Sequence, residues 1–348
     1  MTISSAEKSP AIAGEHPTIA KDKIGVLLIN LGTPNEPTPG AVRRYLREFL
    51  SDRRIVDLPR AIWLPVLYGI ILNTRPAKTA KAYQKIWRDN PSESPLRFFS
   101  REQATSLGSR FDQGDVLVDW AMRYGTPSIK DRLELLKKSG CDRIFVLPLY
   151  PQYSATTTGS VHDAVFDAVK ELVWQPAIRT APAFHDEPAY IEALATITRR
   201  QLAGLAWDPE RFILSFHGIP QRYFAAGDPY HCHCAKTARL LREEMGWQED
   251  VAPLAFQSKF GPEKWLEPST TDTISKLSAE GIKRIAVITP GFVSDCIETL
   301  EEIAIVAHDQ FKEEGGEKFT AFTCLNAETE MIDLLQKITE RELSGWRN

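Results

Sequence analysis

The chain has 348 residues, 43% of them hydrophobic and 25% charged, enough to bury a large core and to form two lobes. A net charge of −4 leaves no electrostatic footprint for a polyanion, which argues against nucleic acid as a partner. Five cysteines at irregular positions (141, 232, 234, 296 and 324) do not form a disulfide framework and fit a reducing cytosol.

Residues 1–23, "MTISSAEKSPAIAGEHPTIAKDK", are polar and mixed in charge, without an apolar h-region or any Arg. They are expected to be a disordered tail, neither signal nor transit peptide. The first strand is predicted at "IGVLLINL" (24–31). An almost wholly apolar stretch follows at Ile62–Leu72, inside "LPRAIWLPVLYGIILNTRPAKTAKAY" (58–83), interrupted by Pro65 and Gly69. It is too short to span a bilayer. Two readings stay open: a core helix, or an apolar lid (insertion about 52–97) beside a ligand-binding edge, which would let a cytoplasmic protein sit peripherally at the inner face of the membrane.

Seven further strands are predicted at 115–122, 143–149, 177–182, 211–216, 252–256, 284–289 and 319–324, with helical periodicity in segments such as "PSIKDRLELLKKSG" and "TTDTISKLSAEG". Continuous apolar strands alternating with amphipathic helices predict an α/β fold whose parallel sheets are covered on both faces. The chain also repeats weakly. "LINLGTP" (28–34) resembles "LSFHGIP" (214–220), and "GCDRIFVLP" (140–148) resembles "GIKRIAVIT" (281–289). Two related βαβ lobes, 24–182 and 183–348, account for this if the first carries the lid insertion.

Within that frame, ligand-facing residues belong at the carboxyl ends of strands. His217 ends one strand, and Leu31 takes its place in the repeat. "SDCIETLEEIA" (294–304) begins a helix with Asp295, Glu298, Glu301 and Glu302. Acids in a first turn favour the helix dipole, but Glu298 and Glu302 also share a face. An imidazole near carboxylates suits either a proton acceptor with an escape route or a nitrogen-and-oxygen site for a divalent first-row metal. Arg123 and Tyr124 follow one strand, Ser258 and Trp265 another, and Arg75 and Lys78 end the insertion. Cations and aromatics so placed suit an apolar ring bearing carboxylates. "HCHC" (231–234) holds four candidate ligands without usual zinc spacing, and "NLGTPNEPTPG" lacks both phosphate-loop and dinucleotide spacing.

In order, "LINLGTP", "FLSDRRIVDLP", "AMRYGTPSI", "LPLYPQYSATTTGS", "SFHGIP", "GDPYHCHC", "FQSKFGPEKWL" and "SDCIETLEEI" resemble the ferrochelatases, which insert ferrous iron into a porphyrin. The resemblance implies two Rossmann-like lobes enclosing a porphyrin cleft. It implies that His217 and Glu298 are catalytic, that iron meets His217, Glu298 and Glu302, and that Arg75, Lys78, Arg123, Tyr124, Ser258, Trp265 and Leu31 contact porphyrin. Iron is then a substrate. Cys296 stands where many relatives have His, and Val306 where many carry a third carboxylate. Ala155 replaces a cluster ligand and no Cys follows Cys324, so no iron–sulfur cluster and no permanent cofactor are expected. Leu31, where coproporphyrin users often carry Tyr, points to protoporphyrin IX. A porphyrin or metal carrier without catalysis, and a chelatase for another metal or for coproporphyrin III, are the alternatives.

Overall fold

The computed structural model describes residues 23–111 and 114–347, so the expected tail, apart from Lys23, lies outside the described residues. Two four-stranded parallel sheets form the frame. The first contains β1 (Lys23–Gly32), β2 (Val116–Tyr124), β3 (Cys141–Pro148) and β4 (Ala177–Thr180), in the order β2-β1-β3-β4. The second contains β5 (Arg211–His217), β6 (Leu254–Gln257), β7 (Arg284–Ile288) and β8 (Lys318–Ala321), in the order β6-β5-β7-β8. The orders are identical, and the two sequence repeats align β1 with β5 and β3 with β7.

Local chemistry repeats as well. The helices Ile129–Lys138 and Thr270–Ala279 are capped by Ser128 and Ser269. Each cap accepts an amide hydrogen bond from the residue three positions on, Asp131 at 3.1 Å and Asp272 at 3.0 Å, and donates its hydroxyl to that Asp. The glycines of the two matched motifs occupy one environment. A Cβ on Gly32, at φ +111°, would lie 1.9 Å from the Tyr124 carbonyl oxygen, and one on Gly218 would lie 2.9 Å from that of Gln257. Only glycine lets these strand ends pass so close to their neighbours.

The repeat breaks between the first two strands of each sheet. That connection runs from 33 to 115 in one half and from 218 to 253 in the other. The longer one holds the apolar insertion, which is helical from Arg60 to Ile86 with a π-helical turn at Leu67–Ile71. The insertion is neither wholly core nor wholly surface. Leu67 and Leu72 are buried with Val42, Tyr45, Leu46 and Tyr83, while Ile62, Tyr68 and Ile70 face outward. The core-helix reading describes the buried side chains, and the exposed ones leave an apolar outer face.

The largest core cluster joins the halves, placing Val26, Leu28, Phe145 and Leu147 with Leu214, Phe216, Leu241 and Ile288. The last helix, Thr329–Glu342, packs on both Pro188–Ala203 and Pro95–Gly108. Beyond it, Arg347 pairs with Asp115 at 2.9 Å and the Trp346 carbonyl accepts from Arg143 at 2.6 Å. The chain end thus returns to the first sheet, which differs from the expected assignment of all of 183–348 to the second lobe.

Candidate active site

β5 ends at His217, half-buried and in register with Gln257 of β6. Its Nδ1 lies 2.6 Å from the Gly218 carbonyl oxygen. A carbonyl only accepts, so this bond puts the ring proton on Nδ1 and leaves the lone pair on Nε2.

The helix that follows β7 begins at Glu298 and keeps π winding through Ala307. The sequence calls for a helix here, but apolar spacing does not specify the extra residue per turn. Such winding is rare and concentrates at functional sites. Gln257 ties this helix to the strand ends. Its Nε2 donates to the Glu298 carbonyl at 2.8 Å and, more weakly, to the Glu302 carboxylate at 3.4 Å, and its Oε1 accepts from Ser215 at 2.8 Å. Ser258 also donates its hydroxyl to Glu302. Ser258 sits at φ +67°, a left-handed conformation costly for a non-glycine residue. Burial, reinforced by the Glu298 charge, raises the Glu302 pKa above the usual carboxylate value, against the hydrogen bonds from Ser258 and Gln257 and the pull of His217. His217, Glu298 and Glu302 are thus neighbours across two strand ends and one helix. Among the described residues, no three His, Cys, Asp or Glu side chains are arranged to hold a metal together.

Sequence reasoning missed the phenols around Glu298. Tyr45, Tyr83 and Tyr150 are deeply enclosed, and burial first, with the Glu298 charge contributing, raises each well above its usual pKa. They come from the first half, so the Glu298 charge acts on protonated hydroxyls across the two halves. Tyr150 carried a signal, because it stands just beyond the end of β3.

Arg123 and Tyr124 are engaged elsewhere. Arg123 donates to Asp52 at 2.6 Å and to the Ser160 hydroxyl at 2.7 Å, and the fully buried Tyr124 donates to Asp52 at 2.7 Å. Burial alone would raise the Asp52 pKa. Hydrogen bonds from Ser160, the Arg54 amide and Tyr124, with the Arg123 charge, outweigh it and hold the group below its usual value. The pair therefore braces the first strand ends and does not present a free surface. Arg75 lies with its guanidinium 3.7 Å from the Phe260 ring centroid, bridging the insertion to the loop after β6. Lys78 is exposed on the same helix. Trp265 packs over Gly218, 3.1 Å from where a Cβ would stand, and its buried Nε1 has no partner. Leu31 packs into the insertion's cluster. In the HCHC segment, His233 stacks on His185 with centroids 3.6 Å apart and accepts from the Tyr153 amide, while Cys234 is buried.

Two parallel sheets of repeated order, with an imidazole and carboxylates where strand ends meet, form a fold shared with chelatases of known structure. SirB from Bacillus subtilis with Fe3+ superposes with a TM-score of 0.56 at 11% identity, covering 93% of this chain and 98% of that one. The chain belongs to the ferrochelatase family. A ferrochelatase family model matches residues 23–343. The ferrochelatase of Rhizobium meliloti (strain 1021) is 56% identical over 333 residues, covering 95% of this chain and 98% of the relative. That of Agrobacterium fabrum (strain C58 / ATCC 33970) is 54% identical over 342 residues, covering 98% and 99%.

Proposed function

We propose that this protein is a lyase that inserts Fe2+ into protoporphyrin IX, releasing two protons, with His217 and Glu298 as its reacting side chains. Family membership supports the reaction. The observation that carries the residue roles is the His217–Gln257–Glu298/Glu302 neighbourhood.

Insertion requires iron to lose water, pyrrole nitrogens to offer lone pairs, and two N–H protons to leave. His217, with Nε2 free, takes the pyrrole protons. Glu298, facing buried phenols, meets the ring centre from the opposite side and receives a proton or the incoming iron. Glu302, whose pKa burial raises above the usual carboxylate value, continues the polar path outward. Borderline Fe2+ suits this nitrogen and oxygen set. Arg75 and Lys78, on the insertion, and Ser258, beside Glu302, would hold the propionates. Trp265 and Leu31 would supply apolar contact, Leu31 favouring protoporphyrin over coproporphyrin. Arg123 and Tyr124 would set the wall through Asp52.

No permanent cofactor is proposed. Ala155 has no thiol, and its amide donates to Asp228 at 2.7 Å as the chain enters the π turn Ala155–Gly159. A peripheral membrane contact through 62–72 is proposed on the outward face of Ile62, Tyr68 and Ile70. No helix among the described residues is long and apolar enough to cross a membrane.

The test is anaerobic incubation of pure protein with protoporphyrin IX and Fe2+, following the loss of porphyrin fluorescence. Wild type should turn over, and His217→Ala should lose about 10²-fold or more in kcat with its Tm unchanged. A folded His217→Ala retaining more than about a tenth of wild-type kcat would remove His217 from the chemistry.

A further inference from the structure

Upstream of Glu298 lies a buried polar clasp that the reaction above does not use. Asp295, three residues before Glu298, accepts from Thr299 Oγ1 at 2.9 Å, from the Cys324 amide at 3.3 Å and from Asn326 Nδ2 at 2.7 Å. The Asn326 amide group pairs with Asp295 at two points, because its Oδ1 also accepts from the Asp295 backbone N–H at 2.8 Å. Asn326 is held in turn. Its carbonyl accepts from Gln103 Nε2 at 2.6 Å, and the same Nε2 reaches Ser294 Oγ at 3.0 Å. Its own N–H donates to the Val293 carbonyl at 2.8 Å. Asp295, Ser294, Thr299, Gln103 and Asn326 are all buried.

Three separated pieces of chain meet here: the helix Pro95–Gly108 of the first half, the segment after β8, and the start of the π-helix. Asn326 takes φ +49°, the left-handed region that Asn tolerates better than most residues. Among the described residues Asn326 Nδ2 is the donor to Asp295 Oδ2, and Thr299 closes the first turn by bonding both the Asp295 carboxylate and the Cys296 amide. Gln257 holds the Glu298 carbonyl from the other side. Glu298 is therefore clamped upstream by Asn326 and downstream by Gln257.

We propose that Asn326 is a positioning residue for iron insertion: through its two-point pairing with Asp295 it sets where the π-helix begins, and so where Glu298 points. The proposal rests on the reading of Glu298 given above. Asn326 touches neither porphyrin nor iron on this account, so its loss should slow the chemical step and leave porphyrin binding alone.

Asn326→Asp faces two carboxylates 2.7 Å apart, and Asn326→Gly keeps the left-handed backbone but deletes the amide. An ångström of misplacement costs about 10²-fold, so kcat should fall about 10²-fold in the first and about 10-fold or more in the second, with KM for protoporphyrin within about twofold. The exchange Asp295→Asn with Asn326→Asp rebuilds the pair with donor and acceptor reversed, and should return kcat to within about threefold of wild type. Rates are expressed per folded protein, measured by near-UV circular dichroism at the assay temperature, so a loss of stability alone would leave kcat at the wild-type value. Wild-type kcat in folded Asn326→Gly, or a folded exchange variant as slow as Asn326→Asp, overturns the proposal. Glu298→Gln separates the two readings. If it retains wild-type kcat, the role of Glu298 fails and the positioning role falls with it. If it is inactive while Asn326→Gly is fully active, only the positioning role fails.

Discussion

Replacing Ile62 and Ile70 with Ser tests the membrane-facing reading of the insertion without touching its core. The two side chains are 62% and 59% exposed, so little packing is lost on substitution and Tm should stay within a degree or two of wild type. Fully burying an Ile is worth about 1.5–3 kcal/mol, and roughly three-fifths of each side chain remains to be buried in a bilayer. The pair therefore supplies about 2–3.5 kcal/mol of membrane affinity, a loss of roughly 30- to 400-fold in partitioning when both are removed. Flotation with anionic vesicles measures this directly. KM for vesicle-borne protoporphyrin should rise with it, while the rate on detergent-solubilised porphyrin should hold. Leu67→Ser is the contrast. Leu67 is fully buried, so its loss leaves a cavity and an unpaired hydroxyl at about 3–5 kcal/mol, and Tm and both activities should fall together. Unchanged vesicle binding in the Ile62/Ile70 double variant would refute the surface role.

Two further outcomes follow from the site. Glu302 is more easily protonated in the folded protein than in the unfolded chain, so wild-type stability should decline as pH rises from the unfolded carboxylate value through the raised folded one. Glu302→Gln should flatten that part of a Tm-versus-pH curve, and an identical slope in both proteins would contradict the burial argument. Protein purified without oxygen should show no iron–sulfur absorption and no acid-labile sulfide, and stoichiometric sulfide would mean that the remaining cysteines build a cluster.

The eight strands of the two large sheets were legible, the inner ones because a strand buried on both faces is apolar throughout and its helices are amphipathic, whereas the two-residue strands Arg88–Asp89 and Ser92–Glu93 were not. The strand-end placement of His217 and of the acidic helix was legible for the same reason. What was not legible depends on distant chain. Asp52, 71 positions from Arg123, decides that Arg123 and Tyr124 brace a wall. His185, 48 positions from His233, decides that this imidazole stacks on another ring. Which face of 62–72 is buried depends on Tyr45 and Tyr83, and no periodicity within the segment reports it. The π winding at Glu298 and the return of the last helix to the first sheet are tertiary choices that local spacing does not encode.

The acids of the helix after β7 differ in what they face, and that difference argues against a dipole explanation for the whole set. Asp295 accepts hydrogen bonds from Asn326, Thr299 and a backbone amide and serves the turn. Glu301 pairs with Lys85 of the insertion at 3.2 Å, joining the lid helix to this one across the halves. Glu302 takes the Ser258 hydroxyl. Like Asp295 and Glu302, Glu298 has no cationic partner among the described residues, and its charge acts on the buried phenols Tyr45, Tyr83 and Tyr150 of the first half. A dipole would be served equally by any of the four and would require none of these partners. On the function proposed above, a carboxylate without a counter-cation, on a helix anchored at both flanks, would serve a charge that arrives from outside, as Fe2+ and the pyrrole protons do. The first lobe supplies the apolar cover and the phenols, and the second supplies the imidazole and the carboxylates. The repeated frame brings them together because Leu31 and His217 take matching places at two strand ends, one packed against the insertion and one left with a free Nε2.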